Sequence, residues 1–321
     1  MTPKLVPYNP ERDFLRVRDF LARTYSRFDA PVNWGIERLN YARYFVAPML
    51  GAYGTDDGSL QGSLDAIRLW EDLVGLWEFD GEIVGAVAVE HPDITHPGYG
   101  DIFIQRHPDH LELLNEMFEH CERRLARPET GETSIFVWDD DAPLLEVVQR
   151  HGYIRNEKRT SSHLEYAIDD VPEPSFPDGF IVRTMTQEQD VDKRREIFGR
   201  AFNHEDPREW PSRFAYEELM RAPDYAPDND LVVIAPDGTY AACCLVWPDD
   251  ANRVGHLEPL GTHPAYRRRG LARALLLEAL HRLKRMGAEK MPMTDGFNPF
   301  YESVGFRKLR SGHMWEKQPA A

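Results

Sequence analysis

Residues 262–283, THPAYRRRGLARALLLEALHRL, set three consecutive arginines and a glycine at the mouth of an amphipathic helix running to about Met286, in a chain of formal charge −16. A strand that ends here and turns straight into that helix presents successive backbone N–H groups at a helix N-terminus, where the dipole adds positive potential. Such a turn is an anion cradle. Gly270 lets backbone approach a ligand closely, Ala272 keeps the helix end uncrowded, and Arg267, Arg268 and Arg269 carry charge suited to phosphates. Glycine in a first helical turn otherwise costs stability, so its use at 270 calls for a reason.

Outward from this stretch, the second half reads as strand (179–185), helix (187–202), helix (209–222), a hairpin turning on Asp237-Gly238 (230–248), strand (255–262), the arginine helix, a weak strand (289–296), then a short helix and last strand (300–318). The first half repeats this order less faithfully. It has a strand at 4–8, helices at 11–28 and 36–50, a hairpin on Asp80-Gly81 (75–91), and a strand at 99–107. A helix (110–126), strand (133–140), helix (143–153) and strand (161–168) complete it. Between the halves, VPEPSFPDG (171–179) holds three prolines and two acids, a composition that neither helix nor central strand tolerates. Hairpins feeding a βα crossover in each half predict two α/β domains with mixed sheets, residues 1–170 and 180–321.

Composition narrows the function classes. Residues 1–179 carry 17 Lys and Arg against 33 Asp and Glu, whereas 180–321 carry 21 of each, so the whole acidic excess lies in the first half. That balance argues against a nucleic-acid partner, which needs a basic face. The opening residues lack an apolar signal region and no window is long and apolar enough for a membrane helix, so a cytoplasmic location and no membrane partner are expected. Cys121, Cys243 and Cys244 are odd in number and two are adjacent, which fits buried thiols and neither a disulfide framework nor a metal knuckle. His107, His110 and His120 make no recognised zinc spacing; a solvated helix face is the expectation, and no metal.

Arg267 to Ala272 match the Q/R-x-x-G-x-G/A pattern of the GNAT acetyltransferase superfamily, and about thirty residues on, Tyr301 with Gly305-Phe306 resembles the tyrosine and glycine-phenylalanine pair after that family's fifth strand. Residues 180–317 carry the resemblance, and the tandem order resembles a mycothiol-synthase-like arrangement. It implies that acetyl-coenzyme A lies between two splayed parallel strands, with its pyrophosphate on the amides of Arg267 to Ala272 (Arg267, Arg268, Arg269, Gly270, Leu271, Ala272). It also implies pantetheine contacts along Leu260, Gly261 and Thr262, a coenzyme contact at Asn298, and Tyr301 as the acid that protonates the thiolate. Asn298 stands only three residues before Tyr301, closer than the family's usual spacing.

Acetylating an amine requires a group that takes the amine's proton. On GHLEPLGT, His256 and Glu258 share one face by the two-residue period of a strand unless a bulge shifts the phase, and either is a candidate base. An arginine partner for Glu258 is the competing reading. The resemblance further implies that the 203–210 loop lines the acceptor pocket, where Glu205, Asp206 and Glu209 would attract a cation. At the matching place, the first half has no glycine and has Asp109, Glu112 and Glu116 where the arginines should be, which would repel a pyrophosphate. It reads as a degenerate GNAT-like domain.

The expected function is an N-acetyltransferase acting on a small-molecule or peptide amine. The alternatives are a non-catalytic coenzyme-A-binding module and a mycothiol-synthase-like enzyme, and self-association into a homodimer is left open.

Overall fold

A computed structural model of the chain describes residues 2–56, 58–93, 100–295 and 299–318. The first half contains β1 (Lys4–Val6), α1 (Pro10–Tyr25), α2 (Ile36–Tyr41), α3 (Ala47–Ala52), α4 (Leu60–Asp72), β2 (Gly75–Phe79), β3 (Glu82–Val89), β4 (Asp101–Arg106), α5 (Leu114–Arg124), β5 (Thr133–Trp138), α6 (Ala142–Arg150) and β6 (Ile154–Ala167). The second contains β7 (Ile181–Thr184), α7 (Met185–Glu188), α8 (Val191–Ala201), α9 (Arg213–Leu219), β8 (Asp230–Ile234), β9 (Tyr240–Asp249), β10 (Val254–Thr262), α10 (Leu271–Arg285), β11 (Lys290–Asp295), α11 (Pro299–Val304) and β12 (Arg307–Lys317).

Local chemistry explains most boundaries. Asn9 caps α1 by accepting from the amides of Glu11 and Arg12, with Pro10 in the first turn, and the helix buries Phe14, Val17, Phe20 and Leu21. The β2–β3 hairpin turns on Asp80 (φ 50°) and Gly81 (φ 83°), both left-handed, as a two-residue turn matching strand twist requires. α2 and α3 run on through a π-helical turn at Ala42–Val46. In the second half, Gln189 at φ 58° ends α7, so the single helix expected over 187–202 is two.

All twelve strands of the described residues form one sheet, in the order β1-β2-β3-β4-β5-β12-β6-β11-β10-β9-β8-β7. The two halves therefore exchange their last strands. β6 of the first half pairs antiparallel with β11, from Lys290↔Ala167 to Asp295↔Ser162, while β12 of the second half lies between β5 and β6. The 171–179 segment is irregular, but the sheet does not divide there.

Burial follows the same interlock. One core, with Leu76, Trp77, Ile102 and Phe118, fills the first half and includes Trp315 of β12; the other, with Leu275, Leu276, Leu280 and Met291, includes Leu164 and Tyr166 of β6. A third cluster joins Tyr41 and Phe45 to Phe198, Tyr216, Leu245 and Trp247, bonding helix surfaces of both halves. Arg18 and Asn40 meet Asp224 at 2.6 and 2.7 Å across the same seam.

Candidate active site

β10 and β11 are parallel neighbours that pair only at Val254↔Lys290. Beyond that point they splay, leaving one edge of β10 facing a gap while its other edge pairs with β9 through Leu260↔Cys244, Gly261↔Cys243 and Thr262↔Ala242. β10 ends at α10, whose N-cap Gly270 makes no side-chain cap bond. The first helical bond there is Ala274 N–H to the Gly270 carbonyl at 3.0 Å, so the amides of Leu271, Ala272 and Arg273 precede the helix's own acceptors. Gly270 sits at φ 82°, and a Cβ added to it would meet nothing within 4 Å. Its glycine is thus required by the left-handed backbone, and the space over the helix end is open. Gly261 differs: a Cβ there would come 2.6 Å from the Ala201 Cβ, so glycine lets α8 close on the end of β10.

The three arginines divide their work. Arg267 donates to the Ala201 carbonyl at 2.9 Å, to Asn203 Oδ1 at 2.7 Å and to the Thr262 carbonyl at 3.2 Å, tying the loop to the end of α8. Arg269 lies over the Tyr266 ring at 5.5 Å, and Arg268 is exposed at φ 59°. Tyr301 lies in α11, just after β11, against Phe300 and Phe306, and its carbonyl accepts from the amides of Gly305 and Phe306. Asn298 lies outside the described residues.

Next to the splay, a cavity of about 420 Å³ opens between the halves, a volume suited to a small ligand. One wall is an aromatic run from the first half, Trp34, Phe103, Phe136 and Trp138, with successive ring centroids 5.1, 5.6 and 4.8 Å apart. The lining also holds Glu37, Arg38, Glu90, Asp101, His163, His256 and Glu258, with His163 packed edge-on against Trp138 at 5.8 Å. Pairing of β10 with β9 slips between Leu257 and Leu260, so the bulge follows His256 and reshapes the strand at Glu258. His256 is buried at 3% exposure, whereas Glu258 is half-buried.

The charges of the cleft are coupled. Arg38 reaches Glu90 at 2.6 Å and Glu258 at 3.4 Å, so Glu258 has the arginine partner that was the competing reading. Burial works against the charge on Arg38, but Glu90, Glu258 and Glu37 outweigh it and keep the guanidinium firmly protonated. Burial raises the Asp101 carboxyl against the pull of Arg159, which sits 2.6 Å away. Glu37, from the start of α2, lies 3.2 Å from His256 Nδ1. Burial pushes Glu37 up to about 7, against the pull of Arg38, and pushes His256 down to about 4, against the opposing pull of Asp249. Among the described residues, Tyr25 Oη, Glu37 Oε2, His163 Nε2 and His256 Nε2 are buried without a hydrogen-bond partner.

Several expected features lie elsewhere. The 203–210 loop is not part of this cavity: Asp206 accepts from Arg208 N–H as the cap of a short turn and pairs with its guanidinium, while Glu209 sits 3.3 Å from His204. Acids at a helix start served that loop's own capping. Glu37, Arg38, Glu90 and the aromatic wall, all from the first half, carried no local signal of a shared cleft. A sheet with both last strands exchanged brings them there.

β4 and β5 also splay after Asp101↔Ser134 and Ile102↔Ile135. Here, however, Arg106 at the end of β4 forms a buried ion pair with Asp141 at 2.5 Å, across the mouth of the gap. Glu112 and Glu116 stand at the start of the following helix, Glu116 accepting from Trp77 Nε1 at 2.9 Å. His120 is packed against Trp77, with centroids 5.3 Å apart, rather than solvated, and no group of potential metal ligands occurs among the described residues. No helix among the described residues is long and apolar enough to cross a membrane.

Residues 192–306 match the acetyltransferase (GNAT) family. The mycothiol acetyltransferase of Saccharomonospora viridis is 24% identical over 280 residues, covering 79% of this chain and 86% of that protein. Its counterpart from Thermomonospora curvata is 26% identical over 251 residues, covering 75% and 76%. In fold, a tandem GNAT protein from the clavulanic acid biosynthesis pathway superposes with a TM-score of 0.60 at 14% identity, covering 99% of this chain and 100% of that one. A GCN5-related N-acetyltransferase from Sphaerobacter thermophilus gives 0.56 at 21%, covering 88% and 94%. The protein is an acyltransferase. Its second half is a GNAT acetyltransferase domain, and the chain as a whole has the tandem GNAT fold.

Proposed function

We propose that the protein is an acetyl-coenzyme A dependent N-acetyltransferase that acts on a primary amine of a small molecule or peptide by direct attack of the amine on the thioester. The observation that carries this reading is the β10–α10 junction: an unpaired strand edge leading to an uncapped helix N-terminus with open space above Gly270. Acetyl-coenzyme A suits that junction and, when bound, supplies an electrophilic acyl carbonyl with a thiol leaving group. The free edge at Leu260, Gly261 and Thr262 offers backbone groups to its extended arm. The amides of Leu271 and Ala272 offer donors and a positive helix end to its pyrophosphate. Tyr301, in the helix after β11, is the acid for the departing thiolate.

The acceptor reading rests on the cavity between the halves. Its acids exceed its cations, and part of its lining is aromatic, which favours a primary amine carried on a ring-bearing or apolar body. In this account residues 1–170 act as a degenerate domain: the buried Arg106–Asp141 pair and the acids ahead of α5 disfavour a second coenzyme, and its walls shape the acceptor site. A mycothiol-type acceptor is a specific second reading, favoured by the two relatives that bear that name over three quarters of this chain. A panel of primary amines with acetyl-coenzyme A, read by thiol release and by mass of the product, tests the proposal. Amine-dependent release with an N-acetyl product supports it; coenzyme binding without turnover on any amine favours a non-catalytic module.

A further inference from the structure

Two groups on β10 could accept the amine's proton, and their surroundings separate them. Glu258 is held by Arg38, and a carboxylate beside a guanidinium is a weakened base. His256 has no such cation on its ring, and its two nitrogens differ. Nδ1 lies 3.2 Å from Glu37 Oε2, whereas Nε2 is buried, without a partner, in a residue that lines the cavity. Glu37 comes from α2 of the first half and His256 from the second, so the pair exists only because the halves share one cleft.

We infer that Glu37 and His256 form a carboxylate–imidazole dyad across the two halves, in which Glu37 Oε2, in contact with Nδ1 at 3.2 Å but not yet aligned as its acceptor, takes up the Nδ1–H as the ring becomes charged, and His256 Nε2 takes the proton of the acceptor amine. The inference rests on the acetyl-transfer reading above. The ammonium gives its proton to Nε2, and the imidazolium so formed is stabilised by the Glu37 carboxylate. The freed nitrogen lone pair bonds to the thioester carbonyl carbon, the C–S bond breaks, and the thiolate takes a proton from Tyr301. The extra proton still on the acylated nitrogen passes to the tyrosinate, leaving a neutral amide, a thiol and the first proton on His256, which releases it to water. Glu37 is a positioning residue, since it acts through the ring. The groups facing the pair are Tyr25 from α1, Arg38 from α2, Asp249 from β9, Glu258 on β10 and His163 from β6; behind them, Glu165 of β6 and Arg310 of β12 act on Tyr25, and Arg310 also on His163. Tyr25 meets the imidazole edge-on at 5.8 Å, and Gly35 leaves room for it, since a Cβ there would lie 2.6 Å from His256 Cε1. The ring is therefore fixed by packing as well as by charge.

The test compares wild type, Glu37→Gln and His256→Gln with acetyl-coenzyme A and the best acceptor from a panel headed by 2-phenylethylamine, measuring kcat/KM across pH beside histidine-selective nitrogen NMR. The acceptor's own ammonium limb is common to all three. The dyad predicts an Nδ1–H tautomer for His256. It also predicts that Glu37→Gln lowers the plateau about tenfold or more and moves the enzyme's limb down by about one pH unit, and that His256→Gln abolishes that limb with a loss of about 10²–10⁴-fold. An Nε2–H tautomer, or a folded Glu37→Gln protein with an unmoved limb and rate within about twofold of wild type, overturns the dyad while leaving acetyl transfer standing. Absence of wild-type turnover on every amine overturns both.

Discussion

Asp230→Ala should be among the most damaging single changes in the second half. Asp230 on β8 is fully buried, accepts from Arg194 Nε at 2.8 Å and from Tyr225 Oη at 3.1 Å, and is also bonded by Tyr216 Oη. Arg194 is equally buried, lies over the Tyr216 ring at 5.3 Å, and has no other acid beside it among the described ion pairs. Truncating the aspartate leaves a guanidinium out of water with only a π face for company. Burial opposes its charge, and Asp230 is what keeps it protonated. Breaking a buried pair from one side costs about 3–5 kcal/mol. For 321 residues the unfolding entropy is about 0.7 kcal/mol/K, which converts that loss to a Tm lower by roughly 4–7 °C. Calorimetry and urea unfolding would measure it. The double variant Arg194→Met/Asp230→Leu should lose less than Asp230→Ala, because no uncompensated charge remains. A cost under about 1 kcal/mol for Asp230→Ala, or a double variant worse than both singles together, would refute the reasoning. The effect should reach the site, since α8 carries Arg194 at one end and, at the other, Ala201 against Gly261.

Tyr301→Phe should lower kcat by about 10²-fold or more while leaving the Kd for acetyl-coenzyme A within about twofold, measured by thiol release and calorimetry, because it removes the acid and not the cradle. His163 sets an acid limit on stability. Burial, helped by Arg310 and Lys290, pushes it down to about 4, below its unfolded value near 6.5, so the unfolded chain binds the extra proton in that window. Stability from His163 is therefore present above about pH 6.5 and lost as pH falls towards 4, by up to about 3 kcal/mol, and His163→Gln should flatten that slope in urea titrations from pH 7 to 4. His256 and Glu37 shift in opposite directions, so they offset one another in the same range.

The local devices were legible. Both Asp-Gly hairpins, the strand into α10, the irregular 171–179 segment and the repeat of elements follow from alternation, turn residues and helical spacing, because each depends on neighbours along the chain. α4 was not legible, since its start lies in a Gly- and Ser-rich run that reads as loop. The exchange of β6 and β12 left no trace either: pairing partners more than a hundred residues apart are chosen by fit across the whole sheet. The candidate site divided along the same line. The β10–α10 junction is one continuous stretch, so its strand, left-handed glycine and helix could be read, although Arg267 serves the loop's own anchoring. The cavity draws Trp34, Glu37 and Arg38 from one half and His256 and Glu258 from the other, and only the shared sheet assembles it.

Calorimetric titration of acetyl-coenzyme A into wild type, Gly270→Ala and Gly270→Glu tests the central claim most directly. Both variants share the backbone strain of a side chain at φ 82°, about 1–2 kcal/mol, and only the second adds bulk and negative charge over the α10 amides. Wild type should bind at one site with a Kd of about a micromolar, weakened in Gly270→Ala and lost in a folded Gly270→Glu protein. Two sites, no binding to wild type, or equal binding by Gly270→Glu would contradict it.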